Sequence, residues 1–486
     1  MIFSDKDIKQ IKNHGLSPES VNRQIDMFIT GFPTLNIVKP ATSDDGVMQC
    51  SDSDCQKYIN MYEDYEMGHR IVKFVPASGA ATRMFKDLFD FISTNMPNRI
   101  SRTTVENIEK FAFWDELEPY VPQNASDMNI VQCLVTNSGL NYGNYPKGLI
   151  EFHKYPDGSV RTPVEEHLSE GAQYAKSVDN NVNIHFTVSP EHRDGFETLI
   201  NRVLAQYDSK YGMKFNVSVS EQKSSTDTIA LKMDKTPFRN PDGSLLFRPA
   251  GHGALIENLN DIDADLIFIK NIDNVSVESM RADTVKYKKV LGGILIDIQK
   301  QIFKIIEYIN TMENHTDIDK VHDFVTSKLG VKLDQKLSMA EYVNLLNRPL
   351  RVCGVVKNNG DQGGGPFWVR DETSGITSLQ IVESSQISPE SKHILADSEY
   401  FNPVDIVCGI KNFKRVKFDL REYIDENTGF ISEKSKNGAS LLALERPGLW
   451  NGAMAKWNTV FVAVPADTFT PVKVVTDLLL PPHQTK

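Results

Sequence analysis

Ala77-Ser78-Gly79-Ala80-Ala81-Thr82-Arg83 is a run of small side chains closed by a guanidinium. Between a strand and a helix, such a run lets the backbone N–H groups of Ser78, Gly79, Ala80, Ala81 and Thr82 approach a phosphate, and the helix N-terminus and Arg83 add positive charge. Small residues also serve where a helix packs tightly on a strand, so the pattern alone leaves both readings open. Asp273 ends the apolar run of ADLIFIKNID, a place where a carboxylate can hold a Mg²⁺ that bridges triphosphate oxygens. The same position suits an ordinary turn or cap. In FRPAGHGAL, Gly251 and Gly253 flank His252, which fits a backbone lying close against a flat ligand or a plain glycine turn.

Other fragments carry less. NNGDQGGGP is glycine-rich but lacks the Gly-Lys-Ser/Thr ending of a phosphate loop, and it reads as a hairpin turn between LRVCGVV and PFWVRDE. There is no GxSxG, HExxH or paired CxxC, which removes nucleophile-elbow hydrolases and zinc modules from consideration. No Cys or Asp stands at ligand spacing from His252, so it is not read as a metal ligand.

Elements that position these residues follow from periodicity. RIVKFVPASGAATRMFKDLFDFI reads as strand, tight loop and helix; VNIHFTVSP followed by EHRDGFETLINRVLAQY reads as strand and helix; ADLIFIKNID reads as a third strand. Alternation of this kind implies a mostly parallel sheet with helices on both faces. Ligands then sit at the carboxyl ends of the strands, where Gly79, Ser189 and Asp273 fall. Helical spacing from Val290 to Ile309 marks a packing helix, and the runs beyond 345 suggest an antiparallel region. Residues 1–65 look helical and polar, an accessory cap in which Pro18 falls near a helix start, and the tail LLLPPHQTK is expected to fray.

With 486 residues the chain can bury at least one large core, and its net charge of -11 argues against a nonspecific grip on nucleic acid or acidic lipid. Five scattered cysteines suit a reducing compartment. No stretch approaches the roughly 20 apolar residues of a membrane span, and MIFSDKDIKQIKNHG lacks the layout of a secretory signal. The expectation is a cytoplasmic protein without membrane or nucleic-acid partners.

Taken in order, these motifs resemble the UDP-sugar pyrophosphorylases, a branch of the nucleotide-diphospho-sugar transferases. Ser78 to Met84 is similar to the family's Leu-x-Gly-Gly-x-Gly-Thr-Arg-Leu loop, with Ser78 and Ala81 where glycine is usual. YPKGLIEFHKYPDGSVRTPVEEHLSEG resembles its Pro-Lys-x-Leu stretch, which makes Lys147 the phosphate-binding lysine after an insertion at about 87–144, with Lys86 as the fallback. The run from Gln222 to Pro-x-Gly-His-Gly is similar to the nucleobase segment, implicating Gln222, Gly251 and His252, and the following strand end puts the metal-binding Asp on Asp273. The Val-Glu after SLQI and the FNPVDIV element imply Glu383 and Asn402 as sugar contacts, with Asp405 where Asn is common, and FTPVKVV implies Lys473 as a second cation.

The resemblance covers about 70–485 discontinuously, with no counterpart for 1–65 or 87–144, and implies a glycosyltransferase-A-like α/β fold with a mixed, mostly parallel sheet. The chain is accordingly read in three stretches. These are a helical cap at 1–65, a nucleotidyltransferase-like core at 66–345 containing the insertion, and a C-terminal α+β part at 346–486. It also implies an enzyme that joins a nucleoside triphosphate, UTP in the first instance, to a sugar 1-phosphate with release of pyrophosphate. Arg83, Lys147 and Lys473 would act in catalysis and Asp273 would hold Mg²⁺. Two alternatives share the fold: a noncatalytic nucleotide or sugar-phosphate binder, and a glycosyltransferase using a nucleotide sugar. Asp261-x-Asp263, the candidate metal pair for the latter, precedes its strand and lies at the wrong edge.

Overall fold

The apolar run at Ile71 becomes the strand Ile71–Pro76, buried through its first five residues, as a strand covered on both faces must be. It pairs in parallel with Leu266–Ile269 and with Asn181–Val188, and the latter pairs in parallel with Lys214–Glu221. A short strand, Lys176–Ser177, adds antiparallel pairing to Asn181–Val188. These four parallel strands therefore end at one edge, as the alternation of strand and helix predicts.

The structure is a computed structural model that describes residues 3–79, 81–311, 317–358, 360 and 364–485. Its architecture is mixed α/β. The chain forms two units, each assembled from three stretches: Met1–Asp54, Gln222–Asp265 and Leu291–Val464 in one, and Cys55–Glu221, Leu266–Val290 and Pro465–Lys486 in the other.

The second unit contains the parallel strands. One face is covered by the helices Pro163–Tyr174 and Arg193–Tyr211, whose Val164, Leu168, Phe196 and Ile200 pack with Val182, Ile184 and Phe186 of the sheet. Thr162 caps the first of these helices through a reciprocal pair with Glu165, and Pro163 fits its opening turn. Residues 86–135 form a helical layer comprising Lys86–Thr94, Arg99–Glu106, Trp114–Leu117 and Asp127–Val135. Phe85, Leu88, Phe113 and Leu134 of this layer share a core with Val275, Val472, Val475 and Leu478. The C-terminal segment is thus part of the core, and the expectation of a frayed tail is corrected. Leu478 and His483 are buried, and the Pro482 carbonyl accepts the Val277 N–H at 2.9 Å.

In the first unit, Leu350–Lys357 pairs antiparallel with Tyr400–Gly409 and parallel with Asn458–Ala463. A separate sheet joins Asn36–Pro40, Gly365–Arg370, Thr377–Val382 and Val331–Lys332. Leu350–Lys357 and Gly365–Arg370 belong to different sheets, so these two strands do not pair with each other. In the NNGDQGGG stretch between them, residues 359 and 361–363 lie outside the described residues. Helices Asp5–Asn13 and Pro18–Thr30 bring Ile11, Val21, Ile25 and Phe28 against Ile229, Leu231 and Leu245. The first 65 residues are not all helical, because Asn36–Pro40 and Val47–Met48 add to the sheets by backbone pairing that a weak apolar pattern does not disclose. The long helix Ala282–Thr311 matches the periodicity seen in sequence.

Beneath the parallel strands lies a buried ionic network. Glu170 meets Lys73 at 2.9 Å and Lys270 at 2.8 Å, and it accepts the Tyr174 hydroxyl at 3.0 Å. Burial opposes its charge, but the two ammonium groups hold its carboxyl well below the ordinary range. Burial also drags Lys73 down to about 7, against the pull of Glu170. Glu170→Gln leaves two buried ammonium groups short of a counter-charge and is expected to cost about 3–5 kcal/mol, read by denaturant unfolding. Because the carboxyl is depressed in the folded state, its contribution is present above the unfolded value near 4.5 and is lost as pH falls through the lower folded value.

Candidate functional site

The loop after Ile71–Pro76 enters a left-handed turn at Gly79, where φ is +119° and a Cβ would meet nothing within 4 Å. Glycine is required there by conformation rather than by crowding. Ser78, Gly79, Thr82 and Arg83 are exposed, and Ala80 lies outside the described residues. Ala81 is buried, and its N–H donates to the Tyr145 carbonyl at 2.7 Å, so that amide already has a partner within the chain. This bond also ties the loop to Pro146 and Lys147.

Lys147 is the centre of the arrangement. Its ammonium donates to Asp273 Oδ2 at 2.7 Å and to the Val472 carbonyl at 2.6 Å, with side-chain exposures of 17% for Lys147 and 21% for Asp273. The fallback residue Lys86 is exposed at the first position of its helix, and it is Lys147 that meets Asp273. The segment that supplies Val472 is stitched to its surroundings. The Val472 N–H donates to the Asp273 carbonyl at 3.1 Å, the Val475 N–H to the Met84 carbonyl at 3.2 Å, and the Thr470 N–H to Asn274 Oδ1 at 2.9 Å. Lys473 is exposed, next to Val472, with its N–H donating to Asp477. Four pieces distant in sequence, the 78–83 loop, Lys147, Asp273 and Lys473, are thereby brought to the carboxyl edge of the parallel strands.

In the first unit two further sequence candidates, His252 and Glu383, meet around Trp450. The rings of His252 and Trp450 stack at 4.1 Å with an 11° interplanar angle. Leu449 N–H donates to His252 Nδ1 at 3.0 Å, and Trp450 Nε1–H donates to Glu383 Oε1 at 3.3 Å. Gly253 allows the close approach of the chain's own Pro447, whose carbonyl oxygen a Cβ would meet at 2.0 Å. The glycines around His252 thus have a structural reason independent of any ligand. Burial raises the Glu383 carboxyl, the Trp450 N–H opposes this, and the neighbouring Glu445 adds to it.

Asn402 is turned inward, whereas Gln222 is half-buried and bonds within its own loop. Asn402 is buried, donating to the Gly354 carbonyl at 3.0 Å and accepting the Val404 N–H at 3.1 Å. It holds a strand irregularity in which Val404 has φ of +59°, a strained conformation for a β-branched residue that costs about 1–3 kcal/mol. Gln222 donates to Thr226 and Asp227 at 3.3 and 3.4 Å. Asp261 and Asp263 pair with Lys223 and Lys411, at 2.7 and 3.0 Å. Trp450 escaped the sequence reading, although it is one of four tryptophans and sits in Gly-Leu-Trp-Asn-Gly, with glycines on both sides like His252.

Among the described residues no group of three or more His, Cys, Asp or Glu is placed to hold a metal ion. Asp273 alone fits Mg²⁺ of the kind that keeps its waters and takes most ligands from substrate phosphates. Burial holds the His252 ring down to about 4. An NMR titration is expected to show it neutral until pH approaches 4. The linked stability falls as pH drops from 6.5 toward 4, because the unfolded ring protonates first.

Among the described residues no helix is long and apolar enough to cross a membrane. No curated protein matches the chain. Among solved structures it is similar to the UDP-glucose pyrophosphorylase of Leishmania major, at 14% identity and a TM-score of 0.46, over 97% of this chain and 77% of that one. It is also similar to the UDP-glucose phosphorylase of Trypanosoma brucei, at 14% identity and a TM-score of 0.44, over the same shares of 97% and 77%. The family model described as a domain of unknown function, DUF4301, matches residues 4–484, and the chain belongs to that family.

Proposed function

We propose that the protein is a nucleotidyltransferase of glycosyltransferase-A type that joins a nucleoside triphosphate, UTP in the first instance, to a sugar 1-phosphate and releases pyrophosphate. The observation that carries this reading is the meeting of Lys147 with Asp273 and Val472 beside the 78–83 loop, at the carboxyl edge of parallel strands. A cation, a carboxylate and an open glycine-bearing loop at that edge form a polyphosphate site.

In the proposed reaction an oxygen of the sugar 1-phosphate attacks the α-phosphorus in line. The bond to the bridging oxygen of the β-phosphate breaks, and that oxygen leaves with pyrophosphate. Such a step needs orientation and charge neutralisation rather than a protein nucleophile. Exposed backbone N–H groups of the loop and Arg83 hold the triphosphate, while Lys147 and Lys473 offset charge on the reacting phosphates. Asp273 is the residue that would hold Mg²⁺, which supplies further neutralisation when bound. Gln222, Gly251 and His252 are proposed for the base, and Glu383 and Asn402 for the sugar. Of these, His252 and Glu383 present part-exposed groups, whereas Asn402 acts through the backbone it holds.

A binding-only reading is favoured by one observation, the capture of the Ala81 N–H by Tyr145, which withdraws one loop amide from a phosphate. The assay that separates the two is pyrophosphate release with Mg²⁺, UTP and a panel of sugar 1-phosphates. Release that depends on one sugar phosphate is expected, with a drop of about 100-fold or more in Asp273→Ala, Arg83→Ala and Lys147→Ala that still fold. Tight UTP binding without release across the panel overturns the enzymatic reading in favour of the binder.

A further inference from the structure

The segment from Pro465 onward crosses the site as a strap, and its far end is held by buried polar groups for which the proposed reaction has no use. Glu166 Oε1 lies 2.9 Å from His153 Nδ1, and His153 Nε2 lies 2.9 Å from His483 Nδ1. The two imidazoles stack with centroids 5.2 Å apart, and His483 also hydrogen-bonds the backbone of Thr470. Exposures are 0% for Glu166 and His153 and 2% for His483, so none of the three can touch a substrate. Glu166 is itself held, by Arg281 at 2.5 Å and by the Tyr155 hydroxyl at 2.7 Å.

These contacts run without a break from the helix Pro163–Tyr174 to Thr470, whose N–H is bound to Asn274. Within the next five residues the strap reaches Pro471, Val472 with its Lys147 and Asp273 contacts, Lys473, and Val475 with its bond to Met84. Apolar side chains would fill the space around His483 equally well, but they would not specify one register for the strap. A directional hydrogen-bond chain does so, because a slip leaves buried nitrogens unpaired.

We propose that Glu166, His153 and His483 are positioning residues, a buried relay that fixes strap residues 470–473 against Asp273 and Lys147 so that the polyphosphate site is formed before its ligand arrives. The inference rests on the proposed function only for the identity of that ligand as a polyphosphate.

The test uses the full chain, inorganic tripolyphosphate with Mg²⁺ as the probe, and calorimetric titration. His483→Phe keeps an aromatic ring but removes both nitrogens, whereas His483→Asn keeps a polar group near the Nδ1 position. Affinity is expected to fall about tenfold or more in His483→Phe, the scale of losing an orienting partner, and to recover most of the way in His483→Asn. Amides of Val472 and Val475 are expected to exchange hydrogen faster in the Phe variant only. Wild-type affinity in His483→Phe, or an Asn variant no tighter than the Phe variant, overturns the relay. If His483→Phe does not fold, His153→Phe against His153→Gln gives the same comparison one link earlier. A wild-type protein that binds no tripolyphosphate overturns the reading of the site itself, which is a different result from a wild type that binds and a variant that binds equally.

Discussion

Glu166 and Glu170 stand one turn apart on the helix Pro163–Tyr174, both fully buried, and between them they face Lys73, Lys270, Arg281 and His153. Burying an ion costs several kcal/mol, and only close counter-charges with good geometry offset it. Here the offset is evident. Despite burial, the hydrogen bond from His153 and the charge of Arg281 bring Glu166 down to about 2. Each partner comes from a different part of the second unit: a strand at the centre of the sheet, the residue after Leu266–Ile269, the approach to the long helix, and the short hairpin at 153–161. Two carboxylates on one helix thus determine where four other pieces can lie, and the loop that carries Asp273 is bounded on both sides by residues they hold.

The contrast with Lys147 and Asp273 is one of solvent access. A pair with no exposure cannot exchange its partners without leaving a charge unsatisfied, so it behaves as framework. A pair about one-fifth exposed can be separated when an anion takes the ammonium and a cation takes the carboxylate, since each released group meets a new counter-charge or water. Rigid charges below and exchangeable charges above suit the polyphosphate site we propose, because its donors must be aimed before the ligand binds yet free to change partners once it does.

In the first unit backbone contact plays the corresponding part. Pro447 lies against Gly253, Leu449 donates to His252, and Arg351, fully buried, donates to the Trp450 carbonyl at 2.5 Å and to Thr459 at 2.9 Å. These contacts hold the stacked His252 and Trp450 rings in place.

Much of this was legible in the sequence. Strand, loop and helix around Gly79, the strand that precedes Asp273 and the helix Ala282–Thr311 are all written in local periodicity, because a buried strand or helix face shows its apolar spacing along the chain itself. The small-residue loop and the Pro-Lys stretch also stood out in the sequence, and the structure joins them through the Ala81 N–H and the Tyr145 carbonyl. What the sequence did not announce has a common physical cause. The pairing of Lys147 with Asp273, the stacking of Trp450 on His252, the inward turn of Asn402 and the ordered strap ending at His483 are contacts between residues 126, 198, 48 and 330 positions from their partners. No local pattern encodes such pairs, and a proline-rich tail reads as loose until His153 is seen to wait for its last histidine. The sequence by itself determined which segments become strands, helices and tight glycine-bearing loops, since those depend on neighbours along the chain. Only the tertiary structure decided which side chains meet and which are turned inward, since that depends on the burial of charge and the close approach of backbone among segments far apart.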